Sequence, residues 1–222
     1  MNALIFERDT IFLAFWMTVR LTAVSTVGSL VLGTLLAAMR VSPLPILRTA
    51  ASGYVTVARN TPLTLVLLFT GLGMGANLGV EFSDDINVNN FWLAILGLTA
   101  YTSAFVCEAL RSGINTVPVG QAEAARSIGL SFQQTLLLII LPQAFRAVIV
   151  PLGGILIALT KNTTIALVVG VAEASVRMRE MIEVYGDQVI QIFFGFAVGF
   201  VLLCLPTGLI FGWLSRRLAV AR

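Results

Sequence analysis

Six stretches of this 222-residue chain run for 19 to 28 residues with no Asp, Glu, Lys or Arg, or in one case with a single lysine. They are 21–39, 60–80, 86–107, 127–145, 188–215 and 147–172, the last interrupted by Lys161. A helix that crosses a bilayer needs about 20 apolar residues. Charged residues make up only 11% of the chain, less than half of the roughly 25% that covers a water-facing surface. A water-soluble enzyme is therefore excluded. Disorder is excluded too, because disordered chains are poor in apolar residues, and here 58% of residues are hydrophobic. The chain reads as an all-α integral membrane protein.

One stretch is too polar to span. Residues 127–145 contain Gln133, Gln134, Gln143 and Pro142, and their continuous apolar core is only 136–141. This predicts a segment on the cytoplasmic side that leads into the next span. Five spans remain, about 20–40, 54–77, 91–112, 144–166 and 188–214, in a single membrane domain over residues 1–222. A connection of about 113–142 joins the third span to the fourth. Aromatic Phe12, Phe15 and Trp16 lie just before the first span. They suit either a short interfacial helix or an extension of that span.

An odd number of spans puts the termini on opposite sides. With the C-terminus inside, Arg40, Arg48, Arg59, Arg111, Arg126, Arg146, Arg216, Arg217 and Arg222 are inner, while Arg8, Arg20, Arg177 and Arg179 are outer. The positive-inside bias then predicts an outer N-terminus and a cytoplasmic C-terminus.

Several chemistries drop out. The chain has no histidine, so no His-based triad, metal site or proton relay can be built. Cys107 and Cys204 lie in apolar runs and read as small core residues. The N-terminus has no basic leader region of the secretory type. The one lysine, Lys161, follows Thr160, so the glycine-lysine core of a phosphate-binding loop is absent. Nucleotide, if used, must be bound by another chain.

The connection at 113–142 is not composed like a loop. Good helix formers surround Glu123, Ala124, Ala125 and Arg126. Gly129 suits a helix C-cap, and Pro142 suits the first turn of the following helix. Small Ala124 and Ala125 would let a partner backbone approach, and Glu123 could offer it a charge-assisted hydrogen bond.

Glu123, Ala124, Ala125, Gly129, Ile139, Leu141 and Pro142 fit the pattern E-A-A-x-x-x-G-x9-I-x-L-P. This resembles the cytoplasmic loop signature of the membrane subunits of bacterial ABC importers. Arg59-Asn-Thr-Pro62, the stretch from Ala100 to Gly113 and Ile157-Ala-Leu-Thr-Lys-Asn-Thr-Thr164 are similar to polar amino acid permeases, with wording nearest the glutamate type.

The resemblance implies a type I importer permease fold of five transmembrane helices with a cytoplasmic coupling helix. It implies partners as well: ABC ATPase subunits, a second and different permease chain, an extracellular substrate-binding protein, an amino acid substrate and the lipid bilayer, but no nucleic acid. ATP and magnesium would be bound by the ATPase, leaving this chain without a cofactor and without enzymatic activity. The location implied is the bacterial inner membrane.

Charges at membrane depth are functional hypotheses by default. Lys161, Asn162 and Thr163 could line a substrate path, the ammonium facing a substrate carboxylate. They could equally stabilise a helix break. Glu108 and Arg111, spaced i,i+3, suit a structural ion pair. Arg59 reads as a snorkelling anchor or a gate, with Thr61 beside it. The alternative function is a stand-alone secondary transporter or channel. That would need midplane carboxylates and usually internal repeats, and Glu108 is the only acidic residue within a span.

Overall fold

The computed structural model describes residues 2–218, and Arg222 of the inner tally lies outside the described residues. Every element is helical. A short α1 (Asn2–Phe6) leads into α2 (Arg8–Val41), followed by α3 (Pro45–Asn60) and α4 (Leu63–Leu68). The long α5 (Ile86–Asn115) precedes α6 (Val119–Ser127), α7 (Phe132–Thr135) and α8 (Leu141–Asn162). The chain ends with α9 (Ala174–Val184) and α10 (Val189–Leu218). Among the described residues, four helical runs are long and apolar enough to cross a membrane, or five if one bent pair counts as a single span.

At 34 residues, α2 is roughly 50 Å long at 1.5 Å per residue. It takes in Phe12, Phe15 and Trp16, so this segment extends the first span instead of lying apart from it. Phe15 is held by α10: it stacks on Phe196 with 5.5 Å between centroids and meets Phe200 edge-on.

The second span departs most from expectation. The expected span at 54–77 is bent, with 107° between Pro45–Asn60 and Leu63–Asn77. Pro62 explains it. Its ring disfavours the helical region for the preceding residue, and Thr61 is extended at φ −99°, ψ 132°. Beyond the elbow, α4 widens into π-helical Phe69–Asn77, where Gly71, Gly73 and Gly75 offer little side-chain packing to hold a tight helix.

At the centre of the bundle, α5 packs against α2, α3, α4 and α8. It buries Leu93, Ala94, Leu98, Ala104, Val106 and Cys107. Glycine permits two close crossings on α5: a Cβ on Gly33 would stand 2.6 Å from Val106 of α5, and one on Gly113 would stand 2.2 Å from Val148 of α8. The outer face of α10 is apolar. Phe193, Phe194, Val198, Val201, Leu202 and Leu209 of α10 are all exposed, which suits acyl chains.

Candidate functional site

Two features stand at one end of the bundle, where α5 finishes and α8 begins. The first is α6. Ala125 is buried, and the Gln143 side chain donates to Gln121 Oε1 at 2.5 Å, which fixes the helix to α8. The opposite face is open. Glu123, Ala124, Gly120 and Ser127 are exposed and fall within about 100° of arc at 3.6 residues per turn. Glu123 therefore projects from a strip of small residues, and among the described residues it makes no ion pair. Arg126 is exposed and donates from Nε to the Ala122 carbonyl at 3.3 Å.

Gly129 ends α6 in the left-handed conformation, φ +88°. Its N–H bonds the Arg126 carbonyl at 2.9 Å, and the Leu130 N–H reaches the Ala125 carbonyl at 3.1 Å. This is the paired bonding of a Schellman cap. Gly129→Ala has free space around its Cβ, so its cost is conformational, about 1 kcal/mol. Thermal unfolding of the purified chain should show that small loss and no more.

After α6 and the turn at Gly129 the chain returns to helix before Pro142. A helical path runs from Gln133 to Val169, so the second half of the expected 113–142 connection is an extension of the fourth span. It widens to a π turn at Leu136–Ile140 just before Pro142, whose ring would otherwise crowd the carbonyl four residues back. Leu141 lines a largely apolar cavity of about 420 Å³ between α2, α5 and α8, and Pro142 is exposed.

The second feature is a charge cluster around Glu108 on α5. The i,i+3 pair with Arg111 is present at 3.7 Å. Arg40 from α2 donates to Glu108 Oε1, and Arg59 from α3 lies 3.8 Å from the same oxygen with its guanidinium over Phe105. Arg40 was not legible as a partner, because it is 68 positions from Glu108. Thr61 donates to the Val57 carbonyl at 2.8 Å, bracing the elbow.

Lys161 and Asn162 end α8 level with the middle of α5, and the backbone tightens there into a 3-10 segment, Thr163–Val169. Lys161 is exposed, and no ion pair joins it to Glu108. Asn162 lines a small cavity of about 150 Å³ with Tyr101, Phe105 and Ile155. Thr163 is fully buried and donates to the Thr160 carbonyl at 2.8 Å, so in this structure it lines no opening.

At the other end, Glu173 caps α9. It is fully buried and accepts from the N–H groups of Ser175 at 3.0 Å and Val176 at 3.3 Å. Thr18 of α2 lies 3.5 Å from its other oxygen. Burial pushes the carboxyl above its ordinary value despite these bonds. The folded chain thus holds this proton to higher pH than the unfolded chain does. Its contribution to stability is complete below the unfolded value, about 4.3, and is lost as pH rises through the raised folded value. Glu7 has the opposite sign: the Thr10 hydroxyl, and then Arg177, lower its pKa. The expected result is that Glu173→Gln removes the Glu173 part of this slope in unfolding scans run upward from about pH 4.

Residues 29–220 match the family described as "Binding-protein-dependent transport system inner membrane component". The chain belongs to that family. The permease is 56% identical to the glutamate transport system permease protein GluC of Corynebacterium glutamicum, over 94% of each chain. It is 32% identical to the probable glutamine ABC transporter permease protein GlnM of Bacillus subtilis, over 97% of each. Among solved structures, the permease resembles a chain of an amino acid ABC transporter with histidines, with TM-score 0.87, 25% identity and 97% of each chain covered. A chain of the MetNI methionine ABC transporter, at TM-score 0.72 and 19% identity, shares the fold.

Proposed function

We propose that this permease is one membrane half of an ATP-driven importer that carries glutamate across the bacterial cytoplasmic membrane, driven by a separate ATPase that docks on α6. The observation that carries the coupling is the exposed face of α6, with Glu123 among Gly120, Ala124 and Ser127 while Ala125 is buried beneath. Small side chains allow backbone approach, and a carboxylate at their centre gives the partner a directional bond. The glutamate assignment draws its support from the names and identities of the permease's relatives.

The arginine-rich end faces the cytosol in this reading, with the N-terminus outside. ATP and magnesium sit on the ATPase. A second permease chain completes the path, and an extracellular binding protein delivers the amino acid. ATP binding draws the two α6 helices together and opens the spans outward, and hydrolysis resets them. Lys161 and Asn162, at a break in α8 level with the centre of α5, are the residues assigned to meet the substrate carboxylates, with Glu108 and Arg59 nearer the exit.

Glu123→Ala should weaken ATPase docking about tenfold, the loss of one charge-assisted bond, and lower uptake while hydrolysis persists. Co-purification, hydrolysis and vesicle uptake measured together check this. Uptake equal to that of the unsubstituted chain would defeat the coupling assignment. Competition of labelled glutamate uptake by aspartate, glutamine and arginine tests the substrate, and equal inhibition by arginine would exclude glutamate selectivity.

A further inference from the structure

Ser175, at the start of α9, has two oxygens within reach of its one hydrogen. Its Oγ lies 3.2 Å from the Thr164 carbonyl and within hydrogen-bond distance of Glu173 Oε1. A serine hydroxyl donates once, and a backbone carbonyl only accepts. With Glu173 ionised, the hydrogen goes to the carboxylate or to the carbonyl, not to both. With Glu173 protonated, the carboxyl donates to Ser175 and Ser175 donates to Thr164, so both contacts are bonds at once. Thr18 of α2 is placed in the same way. It accepts from the Ala174 N–H at 3.3 Å, and its one hydrogen serves the Ala14 carbonyl at 3.3 Å or Glu173 Oε2 at 3.5 Å.

Thr164 belongs to the 3-10 segment Thr163–Val169, which begins directly after Asn162. The proton on Glu173 therefore decides whether α9 grips the segment that follows Lys161 and Asn162. Although fully buried, Glu173 has a route to solvent, because it forms part of the wall of a cavity of about 320 Å³ between α2 and α9. The charges on that wall are engaged elsewhere. Arg20 of α2 lies over the Phe91 ring at 4.8 Å, and Arg177 of α9 pairs with Glu7 and Glu180. Glu183 and Asp187 are exposed, α10 meets α9 through apolar Ile192 and Phe196, and Thr163–Val169 carries no charge. Among the described residues no ion pair reaches Glu173, so only uncharged donors favour its ionised form.

We propose that Glu173 is a positioning residue whose proton, exchanged with the outer side through this cavity, closes the Ser175–Thr164 bond and so holds the Lys161–Asn162 end of α8 in place for the substrate. The substrate role of that end, and the outer side, rest on the function proposed above; the proton-dependent bond does not.

Hydrogen–deuterium exchange of residues 163–169 in the purified full chain, corrected for intrinsic rates, tests the bond. As pH is raised from about 4, exchange there should speed up about fivefold, the worth of one hydrogen bond. Glu173→Gln, whose amide donates to Ser175 at every pH, should stay protected throughout. Ser175→Ala should exchange at the faster rate at every pH, and Ser175→Thr, which keeps the hydroxyl, should keep the pH response. In the assembled importer, the KM for labelled glutamate should rise with outer pH, and should stay flat in Glu173→Gln.

A flat exchange profile in the unsubstituted chain would overturn the proposal, as would a pH response that persists in Glu173→Gln or in Ser175→Ala. If Glu173→Gln does not fold, the two Ser175 variants decide it by themselves. A KM independent of outer pH, in an importer that does take up glutamate, would overturn it as well. Absence of glutamate uptake altogether counts against the proposed function instead, and the exchange measurement then still decides the bond.

Discussion

Gly113→Ala is expected to destabilise the chain by about 3 kcal/mol, at the upper end of what overpacking costs. Gly113 is where α5 crosses α8. A methyl group there would stand 2.2 Å from Val148 Cγ1 and 2.9 Å from the Ala144 carbonyl oxygen. Neither neighbour yields easily: valine is stiff about χ1, and the carbonyl belongs to the α8 backbone. The two helices must separate, and the neighbouring apolar contacts separate with them. Gly53 is the contrast. A Cβ on Gly53 of α3 meets nothing within 4 Å, so Gly53→Ala should gain up to about 1 kcal/mol of helix propensity. Thermal unfolding of the two variants in one detergent checks both. A midpoint for Gly113→Ala equal to that of the unsubstituted chain would mean that the α5–α8 crossing is looser than described.

Glu108→Ala should be of similar size, about 3 kcal/mol, the low end for removing one partner from a buried ion pair. The low end applies because Arg59 and Arg111 are half exposed and water can compensate them. Arg40 is the costly member, since only 16% of its side chain is exposed and it loses the carboxylate it donates to. Three like charges from α2, α3 and α5 then face one another with nothing between them. Arg40→Met in the Glu108→Ala background should restore part of the loss. A double-mutant cycle should return a coupling of about 1 to 3 kcal/mol. A coupling near zero would reduce the cluster to a surface feature.

The relation of sequence to site differs from residue to residue. The face of α6 was legible because its determinants are local: Glu123, the small residues around it and Gly129 act within two helical turns, and backbone stereochemistry gives glycine the left-handed position. The pair of Glu108 with Arg111 was legible for the same reason, since three residues make one turn. The elbow at Pro62 was half legible. Proline marks where a helix stops, but it does not give the angle at which the next one leaves, and the uncharged window at 60–80 hid the break inside an apparent span.

What the amino-acid sequence determined alone was the environment of this protein and the local geometry of α6. Uncharged runs long enough for a bilayer follow from transfer free energies that each residue carries with it, and arginine asymmetry and helix caps are local quantities as well. What only the tertiary structure decided was which distant groups meet. Arg40 and Arg59 join Glu108, Thr18 reaches Glu173 and Gly113 admits Val148, because packing α2, α3 and α8 around α5 closes separations of tens of residues or more. No local preference along the chain encodes those encounters; they follow from shape complementarity among whole helices.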